Sequence, residues 1–166
     1  MTQRRHVGGG SVQATLAAPP PSSDHADVES LLDEIDMGHG ARDAVVLPVP
    51  STDPLAVFEV RSTLQSIIEN ALPADSQHDV RLISSELVTN ALEHGVPPVK
   101  IVLQETDAAV VIAVHDRGDG APSIDPAGSP GMRIVHELTA GRWGVLRRGG
   151  GKWVWAQVPR RDDPAA

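Results

Sequence analysis

The chain of 166 residues predicts an α+β fold, a two-layer sandwich with helices on one face of a mostly antiparallel sheet. Two observations lead to this class. Two pairs of apolar, β-branched segments are each joined by a short turn sequence, which favours antiparallel hairpins. Three other segments carry a single apolar stripe at helical spacing, so each of these helices must bury one face. The length suffices for one domain and a tail.

The first 43 residues have the composition of a disordered tail. They include Gly8-Gly9-Gly10 and Pro19-Pro20-Pro21 among alanines and acids, and bury too little apolar surface to offset chain entropy. Four apolar residues nevertheless recur at helical spacing: Val28, Leu31, Leu32 and Ile35. A short acidic helix against a partner is therefore the alternative, but a solvated linker is favoured because so short a helix is marginal alone. Residues 160–166 are expected to form a second disordered tail.

The folded domain is expected at residues 44–159 and to begin with a β-branched strand at 44–49. Asp53 then caps a helix that runs to about residue 72. Pro54 occupies the first turn of this helix, where a missing N–H costs nothing.

A second amphipathic helix follows and carries the first candidate site residues. Ser76 and Asp79 resemble a capping box at its start, and Gly95 with the prolines after it ends the helix.

The rest of the domain alternates strands with glycine-rich turns. Strands at 99–103 and 109–114 form a hairpin, and the glycine- and proline-rich stretch 117–130 is expected to be a long loop that acts as a lid. A helix at 131–138 and a last hairpin of strands 142–147 and 152–158 complete the sheet. Three tryptophans are expected to pack this hairpin: Trp143, Trp153 and Trp155.

Composition excludes several function classes. The formal net charge of −8 and the lack of a basic stripe argue against direct nucleic-acid binding. The sequence has no cysteine, so disulfides, thiolate metal sites and cysteine nucleophiles are excluded. No apolar run approaches the roughly 18 residues that a membrane span requires. We therefore expect a cytoplasmic protein without a membrane partner.

Glu86 and Asn90 are the first candidate pair, because residues four apart lie on the same face of a helix. The side-chain amide of Asn90 offers an oxygen ligand to the Mg²⁺ of a nucleotide. Glu86, one turn earlier, is placed to activate a hydroxyl nucleophile near the γ-phosphate. Taken alone, the same pair is also typical of the exposed stripe of an amphipathic helix.

Asp116 follows the buried strand 109–114 and can accept a hydrogen bond from an exocyclic amino group of a base. Gly118 and Gly120 allow the backbone to pass close to a planar ring. Gly131 opens a helix whose N–H groups suit a phosphate. Asp and Gly are also ordinary turn residues, so the order of these motifs along the chain carries the argument.

Four segments together resemble the successive nucleotide-binding boxes of the GHKL ATPases: Glu86 to Gly95, Asp116 to Gly120, Gly131 to Val135, and Arg142 through Trp155. Within this superfamily the likeness is to the anti-sigma-factor serine kinases of actinobacterial type. The resemblance covers about residues 44–159 and implies a Bergerat-type sandwich that binds ATP and Mg²⁺.

The resemblance also implies roles. It places Asn90 on the metal, Glu86 as the base and Asp116 on adenine, with the loop 117–130 as lid. Five more residues are implied in nucleotide binding: Gly118, Gly120, Gly131, Met132 and Arg133. The implied partners are an anti-sigma antagonist protein, which is phosphorylated on serine, and a sigma factor, with a homodimer as an option.

The chain departs from this family pattern at two positions. Ser129 stands where the lid usually has a glycine, and Trp153 stands where a small hydroxyl residue near adenine is expected, so its indole would obstruct the base. A degenerate ATP-binding interaction module without kinase activity is therefore the alternative function. The catalytic half of a sensor histidine kinase fits less well, because residues 1–43 offer no dimerising helical hairpin with a phosphoacceptor histidine.

Overall fold

The computed structural model describes residues 23–38, 43–120, 122 and 130–160. Its elements, in chain order, are α1 (Ser23–Asp36), β1 (Val45–Val49), α2 (Pro54–Ala71), α3 (Ala74–His94), β2 (Val99–Glu105), β3 (Ala109–Asp116), α4 (Gly131–Leu138), β4 (Trp143–Arg148) and β5 (Gly151–Pro159). The predicted strands and helices of the folded domain are all present, with ends that differ by a few residues.

The five strands form one sheet in the order β1-β2-β3-β5-β4, and every neighbouring pair is antiparallel. The two predicted hairpins are β2–β3 and β4–β5, and β1 is the edge strand. The predicted α+β class is confirmed. The central strand β3 is buried over almost its whole length, so the sheet is covered on both faces.

Helices α2, α3 and α4 cover one face of the sheet and enclose the larger hydrophobic core. This core includes Ile83 and Leu87 of α3, Ile112 and Val114 of β3 and Val135 of α4, each at most 1 % exposed. Helix α3 packs on β3 and β5 and contacts both α2 and α4, so its residues reach both the core and the end of β3. This central position brings α3 to the candidate site.

The N-terminal ends of α2 and α3 are formed differently. The Asp53 carboxylate accepts hydrogen bonds from the backbone N–H of Leu55 at 2.9 Å and of Ala56 at 3.4 Å, as the predicted cap requires. The capping box predicted at Ser76 is wrong. Helix α3 begins two residues earlier, after Pro73, without a side-chain cap, and Ser76 is buried inside the helix.

The opposite face of the sheet is covered by α1, which lies within the segment expected to be disordered. Its four apolar residues are all at most 9 % exposed: Val28, Leu31, Leu32 and Ile35. They pack on Trp153, Trp155 and Val102 of the sheet. Considered alone the helix is marginal, but the apolar far face of the sheet stabilises it. The helix thus covers the chain's own sheet and is not the solvated linker that the composition favours.

Polar contacts at one end of α1 add to this packing. The Trp153 Nε1–H donates to Asp36 Oδ2 at 3.1 Å, and Arg148 forms an ion pair with Asp33. Lys100 lies 3.8 Å from Asp36 and 5.5 Å from the centroid of the Trp153 ring. The other residues of the predicted tails, 1–22, 39–42 and 161–166, lie outside the described residues. No described helix is long and apolar enough to cross a membrane.

Candidate nucleotide-binding site

A cavity of about 250 Å³ opens between α3, α4 and the ends of β3 and β5. Its apolar wall includes Leu87, Ala91, Val114, Met132 and Val154, and its polar lining includes Asn90, His94, Asp116 and Lys152. Asn90 and Asp116, which the sequence places 26 positions apart, therefore line one cavity. A mostly apolar pocket with a few polar groups is typical of a site for a small molecule or cofactor.

Asp116 lines this cavity and is 1 % exposed. Its Oδ1 accepts hydrogen bonds from the backbone N–H of Gly118 at 2.7 Å and of Val96 at 3.3 Å. The backbone bond from Arg117 N–H to the Val96 carbonyl at 2.8 Å ties the end of β3 to the segment after α3. The carboxylate is thus held by its own loop and by the end of the helix that carries Asn90.

Gly95 explains how the end of α3 approaches Asp116 so closely. A Cβ at this position would come within 2.6 Å of Asp116 Cγ and would also collide with the Ala91 carbonyl oxygen. The backbone of Gly95 has a φ of −89°, so the requirement is for space and not for an unusual conformation. The sequence pattern alone predicts only that Gly95 ends the helix.

Lys152 is a site residue that the sequence pattern does not indicate. Its Nζ donates to Asp116 Oδ1 at 2.9 Å and to the Gly118 carbonyl at 3.4 Å, and its side chain is 5 % exposed. Charges are seldom buried without a partner, and this buried ion pair places a cation beside the carboxylate predicted to read the base.

The expectation that the Trp153 indole obstructs the base is wrong. Successive residues of a strand point to opposite faces, and β5 presents Lys152 and Val154 to the helical layer. Trp153 therefore points to the α1 face, where it is fully buried. Because β5 is apolar on both faces, its sequence shows no alternation that would have revealed this orientation.

A second, smaller cleft of about 20 Å³ adjoins the cavity between α3 and α4. It is lined by Glu86, Asn90, Gly131 and Met132, together with Thr89, Glu93 and His94. The Glu86 carboxylate lies against Gly131, where any Cβ would collide with it. The first turn of α4, where free N–H groups stabilise an anion, thus lies against Glu86, the predicted general base. Asn90, His94 and Met132 line both spaces and connect them.

The structure places the remaining predicted residues as follows. Gly120 lines the cavity, and Gly118 lies against the Asp116–Lys152 pair. Arg133 lines neither space; its side chain is 64 % exposed and its Nε is 3.9 Å from Glu137 Oε1. Most of the predicted lid, including Ser129, lies outside the described residues. The roles assigned to all these residues stay predictions.

The residues fit a magnesium nucleotide in which the phosphates supply most metal ligands. Among the described residues no group of three or more His, Asp or Glu side chains is arranged to hold a metal ion. Mg²⁺ usually keeps several waters and takes few protein ligands when it is bound with phosphates. Asn90, between the cavity and the cleft, would supply one such ligand. The cavity is below the roughly 300–1,000 Å³ of sites that enclose a drug-sized ligand, which suits a base with its phosphates outside.

Comparison with known proteins identifies the class. The family model described as "Histidine kinase-like ATPase domain" matches residues 50–157. The chain belongs to this family, and the family indicates an ATP-binding function. The sequence-based assignment to the GHKL superfamily is thus confirmed.

Among solved structures, the chain is similar to an Erythrobacter litoralis EL346 blue-light activated histidine kinase, with 21 % sequence identity and a TM-score of 0.45. The match covers 86 % of this chain and 49 % of that chain. The chain thus spans about half the length of that kinase. No curated protein matches it.

Proposed function

We propose that this protein is an ATP-dependent serine kinase that acts on an anti-sigma antagonist protein and so controls a sigma factor by partner switching. The observation that carries the proposal is the convergence of Asn90 and Asp116 on one cavity, with Glu86 in the adjoining cleft. The family membership supports ATP as the ligand. The resemblance of the sequence boxes to anti-sigma-factor kinases supports the choice of substrate and partner.

The proposed chemistry needs few groups. Asp116 accepts from the base, and Asn90 holds a metal ion that would neutralise charge on the phosphates when bound. Glu86 takes the proton from the serine hydroxyl as its oxygen bonds to the γ-phosphorus and the bond to the β-phosphate oxygen breaks. Phosphoryl transfer depends mainly on positioning and charge neutralisation, so this small set is sufficient.

The proposal is tested with purified protein, labelled ATP, Mg²⁺ and a candidate antagonist. We expect phosphoserine on the antagonist. Glu86→Gln should lower transfer by about 10²–10⁴-fold, the range for a general base, while nucleotide affinity changes little. Asn90→Ala should weaken Mg²⁺-dependent ATP binding and leave any metal-free binding unchanged. Equal transfer by the wild type and Glu86→Gln would exclude Glu86 as the base.

A specific observation favours the alternative of a binding module without transfer. The cleft beside Glu86 holds only about 20 Å³, and the Glu86 carboxylate lies against Gly131. A γ-phosphate and a serine hydroxyl do not both fit there unless α3 and α4 separate. Tight binding of ATP with no phosphoserine on any antagonist would favour this function, in which the nucleotide controls only the interaction with a partner.

A further inference from the structure

The chain has two lysines, Lys100 and Lys152, and one of them is buried in the candidate base pocket. The proposed transfer reaction makes no use of the Lys152 ammonium. Its two hydrogen bonds, to Asp116 and Gly118, use two of its three N–H donors within the described part of the chain. One donor remains for a ligand in the cavity that Lys152 lines.

The neighbouring Asp116 carboxylate has a matching free acceptor. The bonds from Val96, Gly118 and Lys152 all end on Oδ1. Among the described residues, no hydrogen bond to Asp116 Oδ2 is found, so this oxygen is available to a ligand. The cavity lining therefore presents a cationic donor and an anionic acceptor side by side, with the two charged atoms of the pair 2.9 Å apart.

This donor–acceptor pair matches two purines differently. Adenine has an amino donor at position 6, which can donate to Asp116 without a bond from Lys152. Guanine has an oxygen acceptor at position 6 and N–H donors at N1 and N2. Lys152 can therefore donate to O6, and Asp116 can accept from N1 and N2.

A pocket with Asp116 alone would favour adenine, because guanine could pair N1 and N2 with the carboxylate but its O6 would be left without a donor. Unpaired polar groups at a buried site are costly, and this cost is the usual origin of strong discrimination. Lys152 removes that cost. We infer that Lys152 determines the base specificity of this site and makes it accept guanine nucleotides as well as adenine nucleotides. The inference rests on the proposed nucleotide site.

The test measures the affinities of the wild type and three variants for Mg·ATP, Mg·GTP and Mg·ITP by titration calorimetry. We expect the wild type to bind GTP within about tenfold of ATP. Lys152→Met removes the donor and should weaken GTP relative to ATP by more than about tenfold. Lys152→Gln keeps a neutral N–H donor and should retain more GTP binding than Lys152→Met. ITP, which lacks the 2-amino group, should follow GTP in losing affinity in Lys152→Met.

Lys100→Met is the matched control, because Lys100 lies on the α1 face beside Trp153. This variant should leave the affinities for ATP and GTP unchanged. Thermal unfolding of each variant reports whether it folds. A wild-type preference for ATP above about tenfold overturns the inference, as does an unchanged GTP-to-ATP ratio in folded Lys152→Met. If the wild type binds ATP but not GTP, only this inference fails. If it binds neither nucleotide, the proposed function fails.

Discussion

At the scale of single residues, close approach explains why Gly95 stands at the end of α3. An alanine Cβ there would collide with the Ala91 carbonyl and with the Asp116 side chain, and neither can move without disturbing the site. Overpacking of this kind costs about 1–3 kcal/mol. We therefore expect Gly95→Ala to lower the free energy of unfolding by that amount in urea titrations.

Gly120→Ala is the matched control for stability, because no described residue lies within 4 Å of a Cβ at that position and its φ needs no glycine. Its free energy of unfolding should be unchanged or slightly higher, since alanine restricts the unfolded chain. Equal stability of the Gly95→Ala and Gly120→Ala variants would contradict the close contact between α3 and Asp116.

His115 provides a test through pH. Burial lowers the pKa of His115, and nearby Lys100 acts in the same direction, whereas Asp36 and Asp116 oppose the shift. The folded protein therefore binds this proton less readily than the unfolded chain, whose histidine has a pKa of about 6.5. The stability that neutral His115 contributes is complete above that value and is lost as the pH falls below it.

We expect the wild type to lose more stability than His115→Gln between about pH 7.5 and 5.5, because the variant removes a group whose protonation favours unfolding. Urea titrations at several pH values measure the difference. The six other histidines are present in both proteins and serve as the internal reference. A parallel pH dependence of the two proteins would show that the burial of His115 does not oppose its protonation.

At the scale of elements, α1 depends on the sheet that it covers. Leu32 is fully buried against the sheet, and leucine-to-alanine changes at such positions cost about 2–5 kcal/mol. We expect Leu32→Ala to destabilise the protein within this range, as measured by urea unfolding. Loosening of α1 would also expose Trp153 to water and shift the tryptophan emission to longer wavelength.

Glu34→Ala is the control on the same helix, because Glu34 is exposed and its replacement keeps the helix propensity high. This variant should differ from the wild type by less than about 0.5 kcal/mol, with unchanged emission. If Leu32→Ala also leaves stability and emission unchanged, α1 does not pack on the sheet in solution.

The elements of the folded domain were predictable because their signals are local. The Asp53 cap, the stripe of Ile83 and Leu87, and the run ending at Val114 each identify an element without knowledge of its neighbours. Helix α1 was not predictable in the same way, because its stability comes from the far face of the sheet. Its apolar spacing was visible, but no local signal shows which surface it covers.

The candidate site shows the same limit. Asn90 and Asp116 were expected to meet, since motif order and resemblance to a family indicate convergence even when distance along the chain does not. Lys152 is absent from the predicted site and Trp153 is predicted on the wrong face, because β5 is buried on both sides and alternation then carries no signal. A strand covered on one face only would have shown which of the two residues lines the cavity.

At the scale of the whole molecule, the sheet is a shared wall between two cores. Ile112 and Val114 of β3 pack against the helical layer, whereas Val111 and Ala113 of the same strand face α1. If the strands of the sheet separated, both cores would be exposed to water at the same time. Small domains with such shared packing usually unfold in one cooperative transition. The site, at the end of β3 and β5, should then be lost together with both cores.

The tryptophans allow this cooperativity to be measured. Trp143 packs in the core under the helices, whereas Trp153 and Trp155 lie in the core under α1. Trp143→Phe leaves emission from the α1 side only, and the double change Trp153→Phe with Trp155→Phe leaves emission from the helical side only. In each variant we expect the urea midpoint from fluorescence to coincide with the midpoint from far-ultraviolet circular dichroism. Comparing two probes within one variant removes any effect of the substitution on stability. An earlier fluorescence midpoint in Trp143→Phe alone would show that α1 separates before the rest of the domain unfolds, and would contradict a single cooperative unit.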